Sequence, residues 1–528
     1  MIERSVRPDV AIAVAVIAQQ VGGKVARDAM FLARFPASAL PSVTVASAVL
    51  SLAAVLLASR QMARHGPARL VPDLFALSGL AFLLEWALAL RWPGASAVLV
   101  YLHTSAAGGL TVSGFWSIVN ERFDPHVAKR NIIRVTTGAT LGGLIGGLSA
   151  KHVAEIFEPR AILLALAAVV WLCAWGVKAL GRTLPRHAES AAPPGHTPPR
   201  HAEGAAPPGH TPPRHAEGAA TPKRTLPHPI EGAATPKRTL PRHAEGATTP
   251  LRAGLKPLGQ HPYLRHVASM VVVVALVELF LDCALKTAAD ASLHDARALV
   301  SFFALFHAGV GAGTFLLQIA LTRLSLEGLG LGGTLAVLPA AVAVAAALAA
   351  WHPALWAVAA AAGLETALAS SLFRSAYEIL FTPVPAHRKR ALKVVIDVAL
   401  PRVGAMLGSG AVALVVAAAL PVDAVLLAGA AALGGLGVVY GVGLHRLYVA
   451  ELATSLQLGL VTLAERDAVD ATTRRTILST MTLDRGRLLA QIEAARHPDA
   501  RDSIGALALV LQRHLLANAG KPCVSARL

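Results

Sequence analysis

Three charged side chains recur at four-residue intervals inside an otherwise apolar stretch, VALVELFLDCALKTAAD at 274–290: Glu278, Asp282 and Lys286. At that spacing they share one face of a helix and can support one another. A comparable group, Lys24, Arg27 and Asp28, closes the first apolar block of the chain, and two lone carboxylates, Glu85 and Glu365, stand in apolar surroundings. Inside a bilayer each such charge costs roughly 2.5–3.5 kcal/mol to insert, so each calls for a partner, a wet cavity or a function. Cations in a cavity bind an anionic solute. The lone carboxylates are either proton-coupling groups or hydrogen-bonded structural ones. For Glu278, deep in its block, a cavity-facing role is expected. Lys286 has a plainer reading, in which it reaches for the membrane surface while Asp282 pairs with it. Arg374 with Glu378, and Asp397 with Arg402, read as ion pairs that hold the tenth and eleventh helices in register.

Other chemistries find no support. No phosphate-binding loop, catalytic triad or paired zinc ligands occur, and the three cysteines (Cys173, Cys283 and Cys523) show neither a disulfide framework nor ligand spacing. No enzymatic activity, cofactor or metal is therefore expected. The formal charge of +17 resides mainly in connectors and tails, so nucleic-acid binding is not expected either.

The elements that must position these charges are membrane spans. The 528 residues are 55% hydrophobic and 15% charged, too little charge for a soluble surface of this size. Apolar blocks of bilayer-spanning length fall near 9–32, 38–59, 69–91, 95–120, 132–151 and 160–180, then near 264–288, 296–323, 330–351, 354–381, 393–419 and 421–445. Strand-like alternation is missing, so the spans are helical. The pattern predicts an all-α integral membrane protein: twelve transmembrane helices in two six-helix pseudo-repeats around a central cavity. The halves are 1–180 and 263–445. If they are true repeats, helices one and seven are equivalent, and their charges meet near the central axis. The run before Val25 lacks a cleavage site and reads as a retained first helix.

Basic residues fix the expected orientation. Arg60, Arg64 and Arg69, then Lys129 and Arg130, then Arg388, Lys389 and Arg390 all fall on one side, with both termini and the central segment. The positive-inside rule makes that side cytoplasmic, in a cell (inner) membrane. The central segment, 181–262, holds five 14-residue units beginning HAESAAPPGHTPPR. Rich in Pro, Ala and Gly, it has little apolar surface to bury and reads as a disordered linker. Residues 446–528 read as a small cytoplasmic helical tail, with apolar faces at Leu456, Leu460 and Leu463, at Leu488, Leu489 and Ile492, and at Ile504, Leu507, Leu511 and Leu515.

In helix five, Gly138, Gly142, Gly143, Gly146 and Gly147 permit close approach of a neighbouring helix. This stretch also belongs to a wider likeness. KVARDAMFLARFPASALP at 24–41, FWSIVNERFDPHVAKR at 115–130, TTGATLGGLIGG at 136–147, LVELFLDCALK at 276–286 and SLFRSAYEILFTPVPAHRKRALKVVIDVALPRVGAMLG at 371–408 together resemble the ATP/ADP translocase-like nucleotide transporter family. The resemblance covers most of 9–445 outside the repeats. It implies a major-facilitator-type fold, and places Arg27 and Asp28 on the family's basic–acidic pair of helix one. It also places Glu278 and Lys286 on charged positions of helix seven. The family's lysine in helix eleven is Ala405 here, which implies a divergent member carrying another nucleotide or organic anion. The expected partners are the bilayer, a small anionic solute and a cytoplasmic partner of the tail. The alternative is a non-transporting scaffold or sensor that recruits partners through repeats and tail.

Overall fold

The structure, a computed structural model, describes residues 7–122, 125–182, 258–259, 261–385, 389, 392–458 and 470–480; the side chains of 63, 120–122, 125–134, 136 and 394 are not included. The chain divides into two units, Met1–Leu184 with Thr249–Leu528, and Pro185–Thr248. The second unit lies wholly outside the described residues, so the expectation of a disordered repeat segment does too.

Among the described residues of the first unit are twelve long helices. In the N-terminal half they are α1 (Arg7–Leu32), α2 (Leu40–His65), α3 (Pro67–Arg91), α4 (Pro93–Arg122), α5 (Pro125–Ile156) and α6 (Ala161–Arg182). The C-terminal half has α7 (Pro262–Ser292), α8 (Ala296–Ala320), α9 (Gly330–Trp351), α10 (Leu355–Ile379), α11 (Val395–Ala417) and α12 (Val422–Gln457). Eleven are long and apolar enough to cross a membrane by length and composition; α5 is the twelfth. Prolines in the first turn start α2, α3 and α7, where the missing N–H has no helical partner to lose. A single residue, Gly66, joins α2 to α3 at φ +77°, a left-handed conformation that glycine adopts without strain. Asp295 caps α8, accepting from the backbone of Ala298 at 3.3 Å.

The two halves repeat one packing pattern. In the first, α1 packs on α4, α5 and α6, while α3 packs on α6 and α2 on α4. In the second, α7 packs on α10, α11 and α12, while α9 packs on α12 and α8 on α10. Large apolar side chains cover the outer faces: Leu77, Leu80 and Leu84 on α3, Trp171, Leu172 and Trp175 on α6, Val344 and Leu348 on α9, Val439 and Val442 on α12. Such a surface is an aggregation hazard in water and the proper surface in lipid. This is a multi-pass membrane protein.

The glycines of α5 seat α1. A Cβ at Gly142 or Gly146 would overlap the backbone of Val14 or Ala18, so any side chain there would push the two helices apart. On another face of α5, a Cβ at Gly147 would lie 2.7 Å from the carbonyl oxygen of Ala304 in α8, on the seam between the halves.

Three boundaries differ from the sequence pattern. The last span does not stop near 445: α12 continues unbroken to Gln457, because LYVAELATSL keeps helical phase after the apolar run ends. A short helix, Thr322–Gly328, fills the connection from α8 to α9. Beyond α12 the tail contributes a helix over 471–480, capped by Asp470 at the backbone N–H of Thr473, 2.9 Å. It docks on the C-terminal half: Thr472 Oγ1 accepts from the backbone of Leu331 at 3.2 Å, and Thr473 meets the Tyr448 hydroxyl at 2.7 Å. The other expected tail faces lie outside the described residues, except Leu456, which belongs to α12.

Candidate functional site

The charges of α1 and α7 meet. Arg27 forks onto Asp28, with Nε to Oδ1 at 2.7 Å and Nη2 to Oδ2 at 3.0 Å. From the other half, Lys286 Nζ reaches the same Asp28 Oδ1 at 3.1 Å and Asp282 Oδ2, one turn earlier on its own helix, at 2.6 Å. Lys286 is 1% exposed, so the surface-reaching reading does not hold: the ammonium is buried and paired twice. Tyr101 of α4 offers its ring to both cations, at 5.0 Å from Arg27 and 5.6 Å from Lys286. The four charges sum to zero, so the two buried ones, Asp28 and Lys286, are neutralised within the protein. At the same end of α1 and α7, the backbone of Ala37 donates to Asp290 Oδ2 at 2.9 Å, a second link between halves.

One turn nearer the start of both helices lies a cavity of about 370 Å³, lined from both halves. α1 contributes Gln19, Gln20, Lys24 and Arg27; α2, Thr44 and Ser47; α3, Ser78 and Phe82; α4, Tyr101, His103 and Thr104. The second half brings Glu278 and Asp282 from α7, His307 from α8, Glu365 and Thr366 from α10, and Arg402 and Ala405 from α11. Four of the six residues expected to line a cavity do so, and Asp28 and Lys286 stand buried behind the wall. The walls carry three cations, Lys24, Arg27 and Arg402, against three carboxylates, Glu278, Asp282 and Glu365. Among the described residues, Lys24, Arg402, Glu278 and Glu365 form no ion pair.

The two lone carboxylates differ. Glu85 has a partner: its Oε1 lies 3.0 Å from Nδ1 of His103 on α4, whose Nε2 meets the Ser78 hydroxyl at 2.9 Å. Phe82 packs on the same imidazole, ring centroids 4.7 Å apart. Glu85 thus sits behind His103, which faces the cavity. Glu365 is 2% exposed; its Oε2 touches only the Thr366 hydroxyl at 3.2 Å, and its Oε1 has no hydrogen-bond partner among the described residues.

The expected ion pairs of α10 and α11 are partly replaced. Arg374 meets Glu378 at 2.8 Å, and Glu378 also pairs with Lys393 ahead of α11. The Asp397–Arg402 pair does not form. Asp397 instead accepts from the Tyr377 hydroxyl and faces Arg374 at 3.9 Å, while Arg402 turns into the cavity. The cause is local: residues Val394–Ala399 form a π-helical turn, which changes the phase between 397 and 402. α10 carries a matching π-helical turn, Ala369–Phe373, just beyond Glu365. Such turns accompany functional positions in helices. Arg402 stands three residues before Ala405, and both line the cavity.

Sequence reasoning overlooked Tyr101, His103 and His307. A trace of the first exists: Tyr101, Thr104, Gly108 and Thr111 form a small and polar stripe at helical spacing through α4.

No family model matches the chain, and no curated protein does. Solved structures do. The crystal structure of the nucleoside transporter NupG matches with a TM-score of 0.52 at 13% identity, over 84% of this chain and 99% of that one. The POT family transporter PepTSo matches with a TM-score of 0.52 at 14% identity, over 83% of this chain and 98% of that one. The fold is major-facilitator-like. At these identities the likeness extends to the fold alone.

Proposed function

We propose that the chain is a secondary membrane transporter working by alternating access, with the cavity between its halves as the solute site. The observation that carries this reading is the cavity itself: a space lined by both packing repeats, holding two cations, Lys24 and Arg402, that form no ion pair among the described residues. The solute is a small organic molecule with an anionic group, received by Lys24 and Arg402. A nucleotide is one candidate, and its support is the resemblance of the α1, α4–α5, α7 and α10–α11 segments to ATP/ADP translocases. The shift of the helix-eleven cation from 405 to 402 favours a different solute from theirs. Arg27, Asp28, Asp282 and Lys286 act as the latch that closes the ends of α1 and α7, because they bind each other across the seam. Glu85, acting through His103, is the candidate coupling group. We assign the basic connectors, both termini and the repeat segment to the cytoplasmic side of a cell membrane.

A scaffold with no solute has no need of a charged central cavity, and the one described tail helix rests on its own C-terminal half. The test is uptake and exchange of labelled nucleotides and other organic anions by the full chain in proteoliposomes. Uptake that falls in Lys24→Gln and Arg402→Gln variants, with folded protein retained, supports the reading. Failure to move any labelled solute, by well-folded protein in sealed vesicles, refutes it.

A further inference from the structure

Two carboxylates of the cavity, Glu278 and Glu365, have no role in receiving an anion. The latch quartet is neutral by itself: Arg27 and Lys286 satisfy Asp28 and Asp282. What remains is two cations, Lys24 and Arg402, and two carboxylates, Glu278 and Glu365, none in an ion pair among the described residues. The cavity is therefore bipolar. A polyanion would bring several negative charges against two carboxylates, and such like-charge contact in a cavity is strongly unfavourable.

The unsatisfied atoms point to the complementary ligand. Glu365 is 2% exposed, lines the cavity from α10, and leaves Oε1 without a donor. The Nε2 of His307 is buried and unpartnered as well. Glu278, two turns of α7 before the buried Lys286, is open to the cavity. A buried acceptor left unpaired is costly, so a site that keeps such acceptors is built for donors that arrive with the ligand. An ammonium group supplies three N–H donors and the positive charge. The anionic counterpart is equally plain: the Arg402 guanidinium extends from α11 toward α4, where a Cβ built on Gly109 would lie 3.7 Å from its Nη2.

We infer that the solute is zwitterionic, an organic molecule whose cationic amine is taken by Glu365 and Glu278 and whose anionic group is taken by Lys24 and Arg402. This rests on the cavity being the solute site of a carrier. A zwitterion enters without changing the net charge of the cavity, and it brings a counter-charge to the groups of each sign that form no ion pair among the described residues.

The experiment uses the full chain in detergent and a graded series of aminoalkanoates, with alkanedioates and alkanediamines of the same lengths and ATP as the polyanion. A ligand that binds the folded state raises the melting temperature by mass action. The expected result is stabilisation by at least one aminoalkanoate, and by neither the dioate nor the diamine of its length. Glu365→Gln should weaken that binding by at least about tenfold, since one charge of a buried pair is lost; Glu365→Asp should retain part of it. Stabilisation by dioates or ATP that equals the aminoalkanoates, or no stabilisation by any aminoalkanoate, overturns the inference. So does anion uptake that needs a pH gradient only while Glu365 is present, which would make Glu365 a proton site. Parallel uptake assays separate this from the carrier reading. Binding of an aminoalkanoate without its uptake keeps the bipolar site and removes the carrier; uptake of dioates or ATP alone keeps the carrier and removes the zwitterion.

Discussion

Replacing Lys286 with Met removes the one side chain that ties Asp28 of α1 to α7. Asp28 is 2% exposed and would lose the contact at 3.1 Å, yet it keeps both Arg27 contacts, at 2.7 and 3.0 Å. Asp282 loses its partner at 2.6 Å, but its side chain is 40% exposed to the cavity and can be hydrated. Neither acid is left buried and alone, so the expected loss is that of charged hydrogen bonds, about 1.5–3 kcal/mol. Asp28→Asn is the harsher change. It leaves Arg27 and Lys286 together without the carboxylate between them, and breaking a buried pair in this way costs roughly 3–5 kcal/mol. The double variant Asp28→Asn with Lys286→Met returns the cluster to neutrality, with Arg27 facing Asp282. It should therefore be more stable than Asp28→Asn alone. The assay is reversible unfolding of the four proteins in bicelles, evaluated as a double-mutant cycle. If the two losses add to within about 0.5 kcal/mol, the Asp28–Lys286 contact carries no coupling and the latch assignment is wrong.

Other outcomes follow from the same geometry. Arg402→Gln should reduce solute binding while leaving thermal stability within about 0.5 kcal/mol of the parent, because the guanidinium has no ion-pair partner to orphan among the described residues; an equal loss of stability would mean it acts structurally. Asp397→Asn should do the reverse, loosening α10 from α11 with little effect on binding, as seen by comparing melting temperature with ligand titration. Gly146→Leu drives a side chain into the backbone of α1 at Ala18, and overpacking of that kind costs typically about 1–3 kcal/mol; normal yield and melting behaviour would contradict the α1–α5 contact. Deleting 185–248, which forms a separate unit, should leave uptake by the remaining chain intact when the ends are rejoined by a flexible linker of equal reach.

Much of the framework was legible because the cost of a charge in lipid is a local property. A charged side chain in an apolar run announces itself wherever the helix goes, and Asp28, Glu278, Asp282, Lys286 and Glu365 are legible for that reason. Partners were less legible. Asp397 and Arg402 sit at a spacing that looks like a pair, but a π-helical turn at 394–399 moves them to different faces. Glu85 looked alone because its partner, His103, lies on another helix 18 residues away, where only the packing of α3 on α4 brings them to 3.0 Å. The end of α12 was misjudged at 445 because hydropathy falls there while helical phase does not.

By itself, the sequence determined the class, the twelve spans and the two halves, since segment length and apolarity are set by bilayer thickness and are written residue by residue. It also determined that helices one and seven carry charge on a face. The tertiary structure alone decided which charges neutralise each other and which are left to a ligand. That outcome depends on interhelical distances of a few ångströms, and those are fixed by how whole helices pack. Arg27, Asp28, Asp282 and Lys286 were one set of candidates with Lys24 and Glu278 in the sequence. In the folded chain the first four close on one another as a latch, and Lys24 and Glu278 remain open to the cavity with Glu365 and Arg402.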